Sequence, residues 1–129
     1  MRGASLQIIN TKLENLEDGA KKLLISIKTN PQETVDVQQV KIQVSLYDEE
    51  NGEIGLTKAQ VTQNWLNRWE SSGPKLLEVQ YQPDSTATDV KFAGYVVAIY
   101  YKGELQDCRA DPPRLKKLYE PKYFIGSDE

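Results

Sequence analysis

The segment Val40–Ile54 limits what this chain can fold into more than any other. Apolar residues alternate with polar ones through Val40, Ile42, Val44 and Leu46, and the pattern breaks at Asp48-Glu49-Glu50-Asn51-Gly52-Glu53. A period of two puts those four apolar side chains on one side of a pleated strand; on a helix they would scatter around the axis. The same rhythm recurs along the chain, and seven strands are expected. They are roughly Leu6–Leu13, Lys22–Lys28, the opening segment, Ala59–Leu66, Lys75–Tyr81, Lys91–Tyr101 and Glu104–Arg109. In the sixth, Tyr95, Val97, Ile99 and Tyr101 share one face, and Val96, Ala98 and Tyr100 the other. In the first, the Ile8-Ile9 doublet leaves the inward face open.

Turn chemistry separates these segments. Glu17-Asp18-Gly19 closes a hairpin, Asn51-Gly52 turns the third strand, and Lys102-Gly103 joins the last two. Asn30-Pro31 ends the second strand, Ser71-Ser72-Gly73-Pro74 precedes the fifth, and Gln82-Pro83-Asp84 ends it. All six prolines fall outside the expected strands, as ladder hydrogen bonding requires.

Helical periods compete in a few places. Leu13, Leu16 and Ala20 have helical spacing, but Gly19 and the short span favour a loop. Val61, Trp65 and Trp69 recur every fourth residue, and Thr57 could cap a helix there. Strand and helix both stand for Thr57–Trp69, with strand preferred. Pro113–Tyr119 reads as one or two helical turns with proline at an early position, and 124–129 as a fraying tail.

Short strands with regular turn signals and little helix predict an all-β fold, an immunoglobulin-like sandwich of about seven antiparallel strands with a short C-terminal helical turn. The 129 residues fit one domain, expected over 6–123 behind a leader or disordered stretch at 1–5. No internal repeat is present.

Charge and composition narrow the function classes. The net charge of −3 provides no basic field for nucleic acid or anionic lipid. Residues 102–122 carry six basic against four acidic side chains, without the aromatic ladder of single-strand binders. The longest apolar run, Tyr95–Tyr101, is strand-sized, so no direct membrane insertion is expected. No apolar segment follows Arg2 to make a signal peptide. Either a cytosolic protein or an excised domain fits, and excision is preferred because a strand begins almost at once.

The absence of histidine removes Ser-His-Asp and Cys-His mechanisms and the usual zinc sites. The eight glycines are scattered and form no phosphate loop. A carboxylate pair could still serve a small hydrolase, but nineteen acidic residues make some pair inevitable in any fold. The expectation is no enzyme and no cofactor. Asp48–Glu53 lacks the alternating acids of an EF-hand loop, so a solvated turn is preferred over a weak calcium site. Cys108, the single cysteine, reads as a small buried hydrophobe and excludes an internal disulfide.

Aromatic residues are the remaining binding candidates, since planar rings anchor protein partners or stack on sugars. Trp65 reads as core, and Trp69 is balanced between core and surface. Tyr47 and Tyr100 face away from the apolar rows and are expected on an outer sheet surface.

Val44-Ser45-Leu46-Tyr47-Asp48, with Gly52 beyond, resembles the F-x-L-Y-D signature of bacterial extracytoplasmic sandwich domains, with Val44 where that signature has Phe. The order of Leu23–Lys28, Val40–Asp48, Leu76–Tyr81 and Gly94–Asp107 resembles immunoglobulin-like or fibronectin-like modules of large bacterial envelope proteins. The paired cysteines and strand-C tryptophan of antibody domains are missing, so true immunoglobulin membership is not supported. The resemblance covers most of the chain. It implies an adhesion, spacer or assembly role outside the cytoplasm, with other protein domains as partners, those of the same polypeptide included. It also implies a corner-tyrosine role for Tyr95. It transfers no catalytic residue. The alternative, a carbohydrate-binding module, rests instead on Trp65, Trp69 or Tyr100 as stacking platforms.

Overall fold

A computed structural model describes residues 5–69, 73–84 and 89–118. Expectations about the first four residues, Ser71-Ser72, Tyr119 and the 124–129 tail lie outside the described residues. Eight strands form: β1 (Leu6–Asn15), β2 (Lys21–Thr29), β3 (Val40–Glu50), β4 (Glu53–Leu56), β5 (Gln60–Trp65), β6 (Lys75–Gln82), β7 (Val90–Tyr101) and β8 (Glu104–Asp111). They make two antiparallel four-stranded sheets, ordered β1-β2-β6-β5 and β4-β3-β7-β8. The architecture is the expected all-β sandwich.

Alternation explains the core. Leu23, Ile25 and Ile27 of β2 and Leu77, Val79 and Tyr81 of β6 meet Leu46 of β3 and Tyr95, Val97 and Ile99 of β7 in one cluster between the sheets. Removing such side chains from water is the main stabilising term of the fold. On the outer face of β1-β2-β6-β5, Leu24 and Leu76 lie among polar residues, and Lys12, Glu14 and Lys22 form a small ion-pair chain.

Local backbone chemistry set the hairpins. Asn51 and Gly52 have φ of 55° and 81°, and Lys102 and Gly103 have 52° and 81°. Two successive positive φ values match the right-handed strand twist in a two-residue turn. Asp18 and Gly19 take the same region at 58° and 78° in a 3-10 turn, which closes the β1–β2 hairpin.

Some expectations are met in detail and others need correction. Among the described residues the strands number eight rather than seven. Glu53–Leu56, hidden behind the acidic turn, pairs with β3 from Tyr47↔Leu56 to Glu50↔Glu53. Of the two readings for Thr57–Trp69 the preferred strand is met, by β5, and the segment contains no helix. A four-residue interval spans two full pleats, so Val61 and Trp65 share a strand face as readily as a helix face. The Ile8-Ile9 doublet is resolved by a β-bulge: Ile8 is fully buried, while Ile9, displaced from the ladder, is 43% exposed. The expected helical turns from Pro113 are present as a 3-10 helix, Pro113–Leu118. Ser5, expected in the leader, is buried, and its N–H donates to Gln106 Oε1 at 2.8 Å.

Tyr47 and Tyr100 require the largest correction. Both point away from the inter-sheet core as expected, yet they are 4% and 0% exposed. The outer face of β4-β3-β7-β8 carries a second apolar cluster, in which Tyr47, Val96, Ala98, Tyr100 and Ala110 pack with Leu115 of the C-terminal 3-10 helix. β7 is therefore buried on both faces, which is why its sequence is nearly continuous in apolar residues.

Candidate functional site

The two sides of the sandwich differ. On one side, β8 side chains occupy the outward backbone groups of β1 at Ile8. Asp107 Oδ2 accepts from the Ile8 N–H at 2.7 Å, and Arg109 Nη2 donates to the Ile8 carbonyl at 2.8 Å. These bonds stand in for the strand neighbour that β1 lacks at its bulge. The side is thereby closed.

Among the described residues, the β4/β5 side is open. A cleft of about 390 Å³ lies there, with Asp48 and Tyr81 at its floor and Glu50, Glu53, Lys58 and Asp84 around it. Asp48 extends the inward row of β3 beyond Leu46 and is only 9% exposed. Its carboxylate accepts from Tyr81 Oη at 2.7 Å and, on the other oxygen, from the Thr57 hydroxyl. Thr57 Oγ1 in turn accepts from the Ala59 N–H at 2.9 Å. Burial, then the adjoining Asp48 carboxylate, push the Tyr81 hydroxyl up to about 12, so Tyr81 remains a proton donor to Asp48. Because β3 and β6 belong to different sheets, this bond ties the layers together at the cleft floor.

A second tie runs from Tyr95 Oη of β7 to Thr11 Oγ1 of β1 at 2.8 Å. Tyr95 thus bonds a side chain of the facing sheet, rather than the loop backbone that the corner-tyrosine analogy implies.

The expected aromatic patch is not assembled. Trp65 and Trp69 meet edge to face with ring centroids 5.2 Å apart, and both pack partly buried against the main core. Trp69 Nε1 is buried and, among the described residues, has no hydrogen-bond partner. Tyr47 and Tyr100 lie on the opposite face of the other sheet, covered. Burial raises the Tyr47 hydroxyl, opposed by a hydrogen bond with Ser45. Cys108 packs half-buried beside the outer cluster; burial raises its thiol, and Lys116 opposes that shift. Among the described residues no group of three or more acidic or cysteine side chains is placed to hold a metal ion.

Sequence reasoning missed the cleft and the free edge of β5. Asp48, Thr57 and Tyr81 lie on separate segments, and only the sandwich brings them together. β5 did leave a signal: no charged residue occurs between Lys58 and Arg68, in a chain that is 27% charged.

No protein-family model, no curated protein and no solved structure matches this chain.

Proposed function

We propose that this chain is a non-enzymatic β-sandwich module, acting as a scaffold or protein-interaction domain, and that it works through its open β4/β5 side. The observation that carries this is the asymmetry of the sandwich edges. Asp107 and Arg109 occupy the outward groups of β1 at Ile8, whereas five of the six β5 residues are exposed. Unprotected sheet edges are routes to protein recognition by strand addition. The order β1-β2-β6-β5 opposite β4-β3-β7-β8 follows the A-B-E-D opposite C′-C-F-G arrangement of immunoglobulin-like domains, which supports that finer class. The partial F-x-L-Y-D pattern at Val44–Asp48 supports an origin in a bacterial envelope protein outside the cytoplasm.

A photo-crosslinking amino acid placed at Lys58, on the open side, and at Lys12, on the outer sheet face, tests the role in cells that make the protein. Protein adducts from Lys58 and none from Lys12 are expected. Equal adducts at both positions overturn the proposal. So does silence at Lys58 combined with a saturable change in Trp65 and Trp69 fluorescence on glycan titration, which favours carbohydrate binding instead.

A further inference from the structure

Among the described residues, β5 is a sheet edge with none of the usual protection. Its sequence, Gln60-Val61-Thr62-Gln63-Asn64-Trp65, contains no charge and no proline, and its pairing with β6 runs without a bulge. The other edges are defended. β1 carries Lys12 and Glu14, a bulge and the Asp107–Arg109 cover. β4 is four residues long and begins with Glu53. β8 carries Glu104, Asp107, Arg109 and Asp111, and its pairing with β7 shifts register. Short length, charge and bulges are the devices by which edges avoid pairing.

The direction of the free backbone groups follows from the ladder. The Leu66 N–H donates to the Leu76 carbonyl at 2.9 Å. In an antiparallel ladder, alternate residues turn their N–H and C=O to the same neighbour. Asn64, Thr62 and Gln60 therefore face β6, and Val61, Gln63 and Trp65 direct three N–H and three C=O groups outward. We propose that this edge binds the same edge of a second copy of the chain, antiparallel and centred on Gln63, so that two four-stranded sheets become one.

Charge and symmetry select that occupant. About a two-fold axis at Gln63, each Val61 meets the Trp65 of the other copy and Gln63 meets itself. All three outward-facing positions then fall into hydrogen-bonded pairs. A β-branched residue against an aromatic is a favourable cross-strand pair. A two-fold contact sets the residue on its axis against its own copy, so a charge there would repel itself; Gln63 is neutral, as is all of β5. Lys58 and Arg68 bracket the neutral run and confine the contact to it, as charged residues do when they flank an aggregation-prone strand.

This self-association presupposes the interaction role proposed above but fails separately from it. Sedimentation equilibrium up to about 1 mM chain, the range of weak association, should show a species of twice the 14.7 kDa chain mass. Gln63→Lys and Gln63→Glu should each sediment as monomers, and an equimolar mixture should regain the two-chain mass, because opposite charges then face across the axis. Gln63 is exposed, so both variants should melt within a few degrees of the parent, and Lys12→Glu should leave the mass unchanged. A parent chain that stays monomeric throughout, a dimer that survives Gln63→Lys, or a mixture that remains monomeric overturns the proposal. If Lys58 still yields heterologous adducts in that event, the interaction role stands with a foreign segment on the edge.

Discussion

Asp48 and Tyr81 are the residues on which the open side depends. A buried carboxylate is tolerated only when hydrogen-bonded, and here two hydroxyls supply the bonds. Tyr81→Phe leaves one carboxylate oxygen with less compensation and should cost about 1–3 kcal/mol at neutral pH, measured by urea unfolding. The pH dependence has a definite sign. The folded-state value of Tyr81 is raised from 10.0 to about 12, so its stabilising contribution is complete below pH 10 and is lost as pH rises through 12. The stability advantage of the parent over Tyr81→Phe should therefore shrink across that interval. An advantage that is constant or grows would show that the Tyr81 hydroxyl is neither buried nor set against the carboxylate. Asp48 itself was visible in sequence only as the end of an alternating row. Its partners were not, because hydroxyl residues at 57 and 81 carry no mark of the distant carboxylate they serve.

At the scale of elements, the edges and the C-terminal cover decide the behaviour. Gly94, at φ 146°, lies in β7 where the chain passes under the 3-10 helix Pro113–Leu118. A Cβ there would clash with the Asp111 carbonyl oxygen and stand 2.6 Å from Leu115 Cδ1. The Asp111 backbone cannot swing aside as a flexible side chain would, so Gly94→Ala should destabilise by about 3 kcal/mol or more. Thermal and urea melts check this, and a loss under about 1 kcal/mol would mean that the cover is loosely seated. On the closed side, Asp107→Leu removes the acceptor of the Ile8 N–H. Hydrogen exchange at Ile8 should accelerate while the amides of β6 keep their protection; unchanged exchange would show that Asp107 does not protect the edge. These elements were unequally legible. Asn51-Gly52 and Lys102-Gly103 announced their turns through local backbone preference. β4 did not, since four residues give too few repeats for a period to emerge.

For the whole molecule, the two-layer design followed from the alternation, and the position of each layer did not. Alternation reports that a side chain points to one face or the other; it says nothing about what covers that face. Tyr47 and Tyr100 show the difference. Their parity correctly set them off the inter-sheet core, yet Leu115, many residues away in sequence, packs in the cluster that buries them. The sequence by itself determined that this chain is strands and turns, which residues share a face, and that no histidine-based chemistry is available. Those properties depend on neighbours a few residues apart. Tertiary structure alone decided that one edge is covered and another bare, that Asp48, Thr57 and Tyr81 meet at a cleft, and that the outer tyrosines are enclosed. Each of these needs segments far apart in the chain to arrive at one place, and that meeting is set by sheet order and burial of the whole, which no local pattern encodes.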